Sequence, residues 1–186
     1  MVFRYRQKRQ VVHIQNTLLG LLEAEPRHGY DLKRIYDRLF QELRPLRFGQ
    51  LYSTLARSQR DGLVTIGDPE PGLGPDRRSY TLTATGSATV ATWLQQTEPV
   101  TGPVESSLFP KVVLSLLTQR PTRDLLEAQR AVHLDRMRSL LRSREDQHDE
   151  AALALVELQA FHVEADIRWL DHTLERLDLI RRTLDR

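Results

Sequence analysis

The architecture of this chain follows from residues 48–66, which read FGQLYSTLARSQRDGLVTI. Leu51 and Leu55 lie four residues apart in this stretch, which is the spacing of one buried face of a helix. The helix is predicted to begin at the first or second residue of the stretch and to stop at Asp61-Gly62, because glycine ends helices. The residues that follow, 63–66, are predicted to form a strand. A short amphipathic helix that leads into a strand is therefore the centre of the predicted fold.

Two helices are predicted before this stretch. Apolar residues recur at helical spacing between Val11 and Leu22, and Pro26 ends that helix. A second helix is predicted over about 28–43. The dipeptide Arg44-Pro45 stops it, because proline disfavours the helical conformation in the residue before it.

A second strand and a closing helix are predicted after it. Residues 68–76 are rich in proline and glycine and form a loop, and residues 77–83 form the second strand. Thr83 or Thr85 can cap a fourth helix. Three helices, a two-stranded hairpin and a closing helix form a winged helix-turn-helix, which we assign to residues 1–97.

The composition changes once along the chain, at residues 98–107. Two prolines and a glycine without apolar periodicity indicate a linker there. The pattern after it is helical, and we assign residues 108–186 to an antiparallel helical dimerisation domain. The fold class predicted for the whole chain is therefore mainly α, with an N-terminal winged helix-turn-helix that carries a two-stranded wing.

The prediction of a dimer comes from one long helix in this second domain. Between Leu153 and Leu177 apolar residues recur in steps of three and four, which is the seam of a coiled coil or an antiparallel bundle. A second, partly apolar stripe from Leu155 to His172 lies beside the seam. The preceding helix, over about 122–148, covers only one of these faces. A second copy of the chain is therefore expected to cover the other.

Charge is divided unevenly between the two domains. Residues 1–97 carry 14 basic and 9 acidic side chains, whereas residues 98–186 carry 13 and 16. Such a division indicates that the first domain binds a polyanion. Only three of the 27 basic residues are lysine, and the planar guanidinium of arginine suits bidentate contacts to phosphates and base edges. The alternative is a GC-rich genome that favours arginine codons throughout.

The third helix is predicted to enter the major groove of DNA. Its outward positions are all polar, namely Gln50, Ser53, Thr54, Arg57 and Arg60. Arginine and glutamine read base edges in that groove, and the arginines at the end of the hairpin lie beside the phosphate backbone. The predicted DNA-binding residues are Arg47, Gln50, Tyr52, Ser53, Thr54, Arg57, Arg77 and Arg78. The alternative function is a winged-helix module that binds other proteins.

The sequence gives little support to other chemistry. The chain has no cysteine, which excludes disulfides and thiolate sites. His162 and Asp166 have the spacing of a metal-binding pair, but the rest of a ligand set is missing, so no metal or other cofactor is predicted. No nucleophile motif and no phosphate-binding glycine loop occurs, so the chain is not predicted to be an enzyme. No apolar run approaches the roughly 18 residues of a membrane span, and a cytoplasmic protein is expected.

A further group of residues is a candidate pocket for an effector. Aromatic and methionine side chains near the junction of the two domains are suited to line an apolar pocket. These residues are Trp93, His133, Met137, Phe161 and Trp169. The predicted ligand is a small aromatic or cationic compound, and the alternative is plain core packing.

Four short motifs together resemble the PadR family of transcriptional regulators. They are residues 18–22 with 26–32 (LLGLL and PRHGYDL), 49–55 (GQLYSTL), 61–64 (DGLV) and 78–86 (RSYTLTATG). The helix around Phe109–Lys111 and the two long helices after it resemble the dimerisation domain of that family. The resemblance implies a dimeric bacterial repressor that binds an inverted repeat, often in its own promoter, and that a small molecule releases. It also implies that residues 49–60 read the DNA and that Arg77 and Arg78 lie on the wing.

Two positions depart from the family pattern. Ser53 replaces a proline that many members carry after the motif tyrosine, and a serine there is compatible with a hydrogen bond to phosphate. Ser58-Gln59 replaces a Leu-Glu pair. Because Ser58 follows Leu55 by three residues, it is predicted to face the core, where it costs about 1–3 kcal/mol unless its hydroxyl finds a partner.

Overall fold

The computed structural model describes residues 14–68, 78–100, 108–145 and 147–184. The chain forms two compact units, residues 1–95 and residues 96–186. Within the described residues, none of the helices has an apolar stretch of the length needed to cross a lipid bilayer.

The first unit combines, in its described part, four helices with a small antiparallel sheet. The helices are α1 (14–24), α2 (Gly29–Phe40), α3 (Phe48–Arg60) and α4 (Ala84–Gln95). The strands are β1 (Arg27–His28), β2 (Val64–Ile66) and β3 (Ser79–Leu82), in the sheet order β1-β3-β2. This arrangement is a winged helix-turn-helix, and the predicted fold class is confirmed.

The sheet contains one strand that the sequence did not predict. Arg27 pairs with Tyr80 and His28 pairs with Ser79, so β1 lies against β3 on the side opposite β2. Two residues are too few to show the alternation of apolar and polar side chains by which a strand is recognised. Because His28 is also the N-cap of α2, β1 ties the start of α2 to the wing strand.

Helix α2 ends at Phe40, three residues before the predicted end at Leu43. The amide of Leu43 donates to the carbonyl of Phe40 in a turn. The Tyr36 hydroxyl donates to the carbonyl of Arg44 at 3.1 Å, which fixes the chain after this turn. Burial raises the pKa of Tyr36 to about 12, so the hydroxyl keeps its proton at neutral pH.

Helix α4 begins close to the start of β2. The Thr83 hydroxyl accepts the amide of Gly86 at 3.0 Å and donates to the carbonyl of Gly62 at 2.8 Å, which confirms one of the two predicted caps. A Cβ atom on Gly86 would overlap the carbonyl oxygen of Leu63. Glycine at this position therefore allows the helix to approach the backbone of the sheet.

Ser58 faces the core, as predicted, and its hydroxyl has two partners. The Oγ donates to the carbonyl of Thr54 at 3.0 Å and accepts a hydrogen bond from the side-chain amide of Gln15 at 3.2 Å. The second bond joins α1 to α3. The buried hydroxyl therefore avoids the desolvation cost of an unpartnered polar group.

The second unit is helical in the residues that the structure describes. Its helices are α5 (Leu108–Leu117), α6 (Thr122–Glu145), α7 (Glu150–Glu175) and α8 (Leu177–Leu184). Ion pairs from Arg130 to Asp171 and from Arg144 to Glu157 show that α6 and α7 are antiparallel. All four helices contribute to one apolar cluster, which contains Leu108, Val112, Leu116, Leu126, Leu170 and Leu177.

The long apolar seam of the second unit belongs to two helices. Helix α7 ends at Glu175, the backbone turns at Arg176, and Leu177 begins α8. The turn places Leu177 in the same cluster as Leu108 and Val112 of α5. The prediction of one continuous helix was wrong at this point, because a periodic pattern continues unchanged across a one-residue turn.

A buried ion pair fixes the segment that precedes α5. The Lys111 Nζ lies 2.6 Å from Glu98 Oε1 and donates to the carbonyl of Gln96 at 2.6 Å. The buried side chain of Gln129 bonds both the amide and the carbonyl of Glu98, at 2.6 and 2.7 Å. Glu98, predicted as the first linker residue, is therefore a buried part of the second unit. Residues 101–107 of the predicted linker lie outside the described residues.

Candidate nucleic-acid interface

Helix α3 presents a polar face to solvent. Arg47 precedes the helix as its N-cap, in an extended conformation. Gln50, Ser53 and Arg57 follow one another at spacings of three and four residues and are exposed, as is Arg60 in the last turn. The helix has no acidic residue. This surface combines the donors and acceptors that read base edges with the cations that bind phosphate.

Thr54 does not belong to this surface. Its side chain is buried, and its hydroxyl donates to the carbonyl of Gln50 at 2.8 Å. The prediction that Thr54 faces outward is wrong. At about 100° per residue, Thr54 lies about 60° from Leu51 around the helix, at the edge of the buried face, so its polarity does not reveal which way it faces.

The arginines of this face have no carboxylate partner among the described residues. Among the residues that the structure describes, no aspartate or glutamate lies within salt-bridge distance of Arg47, Arg57 or Arg60. Other cations of the first unit, including Arg27 and Lys33, do form such pairs. An unpaired guanidinium is ready to replace counterions on a nucleic-acid backbone.

Tyr80 of the wing strand interacts electrostatically with Tyr52 of α3. Burial raises the pKa of Tyr80 above its ordinary value, the neighbouring Tyr52 raises it further, and Arg78 lowers it. The Tyr80 hydroxyl is therefore within electrostatic range of both Tyr52 and Arg78. Arg78 is exposed, whereas Arg77 lies outside the described residues.

Tyr52 also contacts the start of α2. A Cβ atom on Gly29 would lie 2.7 Å from Tyr52 Cε1, so the absence of a side chain allows the ring to rest on the α2 backbone. The Tyr52 side chain nevertheless remains 45% exposed. It is fixed on one side by α2 and open to solvent on the other.

Comparison with known proteins assigns the first unit. Residues 18–92 match the transcriptional regulator PadR-like family. This match covers less than half of the chain, so the resemblance to that family concerns residues 18–92. The chain is also 24% identical to the negative transcriptional regulator PadR of Bacillus subtilis (strain 168) over 117 aligned residues. These residues are 62% of this chain and 64% of that protein. The match thus spans less than two thirds of the length of this curated relative.

Solved structures of B. subtilis PadR also resemble this chain. The structure with operator DNA is 20% identical, has a TM-score of 0.46, and is matched over 88% of this chain and 98% of that one. The structure with p-coumaric acid is 20% identical, has a TM-score of 0.43, and is matched over 89% and 99%. These resemblances concern the overall fold.

His133, predicted as an effector residue, is buried between α6 and α7. Its Nε2 lies 3.5 Å from Asp166 Oδ2, and its Nδ1 lies 2.8 Å from the carbonyl oxygen of Gln129. Asp166 thus faces His133 of another helix. In the described parts of the chain, no three metal-ligating side chains come together.

The other predicted effector residues have different environments. Trp93 is buried on α4, and Met137 is half-buried on α6. Trp169 packs against the apolar cluster of the second unit. Phe161 is 66% exposed on α7. The environments of His133 and Trp169 agree with the core-packing alternative, and binding of an effector to these five residues stays a prediction.

Proposed function

We propose that this chain is a homodimeric transcriptional repressor that binds an inverted-repeat operator through α3 and the wing. One observation carries the proposal: the exposed face of α3 combines hydrogen-bonding side chains with arginines that pair with no carboxylate of the described residues. A single helix fits the major groove of B-form DNA. A carboxylate on this face would repel the phosphates that line the groove, so its absence favours a nucleic acid as the partner.

The exposed side chains of α3 suggest a division of roles. Gln50 and Arg57 reach base edges, because glutamine pairs with adenine and arginine with guanine in the major groove. Arg47, before the helix, and Arg78, directly before the wing strand, bind phosphates and set the register on the duplex. Ser53 has a hydroxyl that suits either partner, although in the free protein it donates to the carbonyl of Gln50.

An uncovered apolar face on α7 supports the proposal that two copies of the chain form a dimer. Leu155, Leu158 and Phe161 follow one another at three-residue spacing, and at least half of each side chain is exposed. Another face of α7 is covered by α6, where Arg130 pairs with Asp171. A row of exposed apolar side chains on a monomer marks an interface. A two-fold dimer through this face provides two copies of α3 for the two halves of an inverted repeat.

Release by a small molecule is the third part of the proposal. B. subtilis PadR has been solved with p-coumaric acid, so a small aromatic acid is the first compound to test, followed by aromatic cations. A ligand releases DNA only if it binds the free form more tightly than the DNA-bound form. Trp93 and Trp169 are the two tryptophans of the chain. An effector at the predicted residues is expected to change their emission at the concentrations that release DNA, and single Trp→Phe variants identify the residue that reports.

A binding titration tests the repressor itself. Fluorescence anisotropy compares a duplex from the region upstream of this protein's own coding sequence with a scrambled duplex of the same composition. A specific regulator is expected to prefer the first by at least about a thousandfold at physiological salt. Equal and weak binding of both duplexes contradicts the proposal and favours the protein-interaction module.

A further inference from the structure

Three aromatic side chains form a continuous strip beside the polar face of α3. Phe48, the first residue of α3, lies between Tyr30 at the start of α2 and Tyr52, with ring centroids 6.2 and 6.4 Å away. The ring planes differ by 16° and 20°, so the three rings are nearly parallel and offset. Tyr30, Phe48 and Tyr52 are called the aromatic strip below.

The aromatic strip is fixed in place without being buried. Tyr30 is 65% exposed, and Phe48 is 45% exposed. The Lys33 Nζ lies 5.2 Å from the centroid of the Phe48 ring and pairs with Asp37. This cation–π contact and the neighbouring rings hold Phe48 at the surface. The first unit therefore keeps an ordered apolar surface exposed to water, which is unfavourable until a partner covers it.

The position of the strip indicates the partner. Tyr52 belongs both to the strip and to the candidate interface, and the unpaired Arg47 directly precedes Phe48. A partner that lies along Gln50 and Arg57 therefore reaches the strip at the N-terminal end of α3. DNA presents both chemistries that meet there, since its phosphates suit the arginines and its deoxyribose rings and thymine methyl groups suit the aromatic side chains.

We propose that the aromatic strip is a second, non-ionic part of the DNA interface, in which Tyr30 and Phe48 contact deoxyribose and thymine methyl groups. The inference rests on the proposed function, because it assigns further contacts to the same DNA site. Neither residue was among the DNA-binding residues predicted from the sequence. Burial of apolar surface releases water and no counterions, so these contacts contribute affinity that is independent of salt, unlike the arginine contacts.

A salt titration of operator binding separates the two parts of the interface. Phe48→Ala is expected to weaken binding about tenfold at every salt concentration, with the wild-type slope of log affinity against log salt. Arg47→Ala, which removes a cation assigned to phosphate, is expected to lower the magnitude of that slope by about one. Leu43→Ala is the matched control, because Leu43 is an exposed apolar residue beyond the opposite end of α2. It is expected to leave both the affinity and the slope unchanged.

Phe48→Leu is the control for an effect of Phe48→Ala on folding. It keeps the apolar bulk at the start of α3, so it is expected to retain most of the affinity that Phe48→Ala loses, with the same thermal unfolding midpoint. Wild-type affinity in Phe48→Ala overturns the inference and leaves the proposed function standing. A loss accompanied by a lower salt slope also overturns it, because the contact would then be ionic. If the wild-type chain itself does not prefer its operator, the proposed function fails instead.

Discussion

The arginines of the two units differ in their partners, although both units are rich in this residue. In the second unit Arg130 pairs with Asp171, Arg144 pairs with Glu157, and Arg168 pairs with Glu164. On the α3 face of the first unit, no carboxylate of the described residues approaches Arg47, Arg57 or Arg60. A codon preference explains the abundance of arginine, but it does not explain this difference in partners.

The comparison shows that the surroundings of a charge, more than its presence, indicate a function. An exposed ion pair contributes little to stability. Because its two charges nearly cancel, it also attracts a phosphate only weakly. An unpaired arginine on a face without carboxylates keeps its full charge for a polyanion and gains from counterion release on binding. The second unit thus uses these arginines in ion pairs within and between its helices, whereas the arginines of the α3 face are available for the partner that we propose.

The largest effect is expected where an ion pair of the second unit is buried. Glu98→Ala removes the carboxylate from the buried Lys111 ammonium, and loss of one partner of a buried pair costs about 3–5 kcal/mol in the free energy of unfolding. Urea denaturation measures this cost. The matched variant Glu164→Ala breaks the exposed pair with Arg168 and is expected to cost less than about 1 kcal/mol. Equal losses in the free energy of unfolding would show that burial does not determine how much an ion pair of this unit contributes to stability.

The next largest effect is expected on the uncovered face of α7. Leu158→Asp combined with Phe161→Asp places charges on this face without entering the core. The dimer dissociation constant is expected to rise at least about a hundredfold, measured by sedimentation equilibrium. Leu170→Asp is the contrast, because Leu170 is fully buried and its change is expected to unfold the unit. An unchanged dissociation constant in the double variant would contradict a dimer through this face of α7.

Base reading by α3 gives a smaller and more selective effect. Arg57→Ala is expected to weaken operator binding by about 1–3 kcal/mol and to relax the preference at one base pair, because a bidentate contact to guanine is lost. Arg78→Ala is expected to weaken binding to all sequences alike, since a phosphate contact carries no sequence information. Competition with single-base operator variants measures both effects. The division of roles fails if the two variants lose the same preference.

The smallest effect on DNA binding is expected from the buried threonine. Thr54→Val removes the hydroxyl that donates to the carbonyl of Gln50, which lies below the exposed face. Operator affinity is expected to change less than about twofold, while the free energy of unfolding falls by about 1 kcal/mol. Gln50→Ala, one turn away on the exposed face, is the comparison in the same binding assay. A larger loss of operator affinity in Thr54→Val than in Gln50→Ala would indicate that Thr54 belongs to the DNA interface.

Local patterns predicted the elements of this chain well. The spacing of Leu51 and Leu55 predicted α3, and Asp61-Gly62 predicted its end, where Gly62 adopts a positive φ of 71°. The burial of Ser58 followed from the same spacing. These features depend on residues within one or two turns of each other, which a sequence displays directly.

Features that depend on distant residues could not be predicted in this way. The two residues of β1 are a strand only because Tyr80 and Ser79 lie beside them. Glu98 resembles a linker residue until Lys111 and Gln129 surround it. The aromatic strip joins residues 18 positions apart in the sequence, at the starts of two different helices. Each of these required tertiary contacts that no local pattern encodes.

The salt dependence of operator binding tests most directly whether the unpaired arginines of α3 meet DNA. The wild-type chain is compared with Arg47→Gln, and with Arg168→Gln, whose arginine is exposed but paired with Glu164. We predict that the slope of log affinity against log salt falls in magnitude by about one in Arg47→Gln and stays at the wild-type value in Arg168→Gln. Equal slopes for all three proteins would contradict the account.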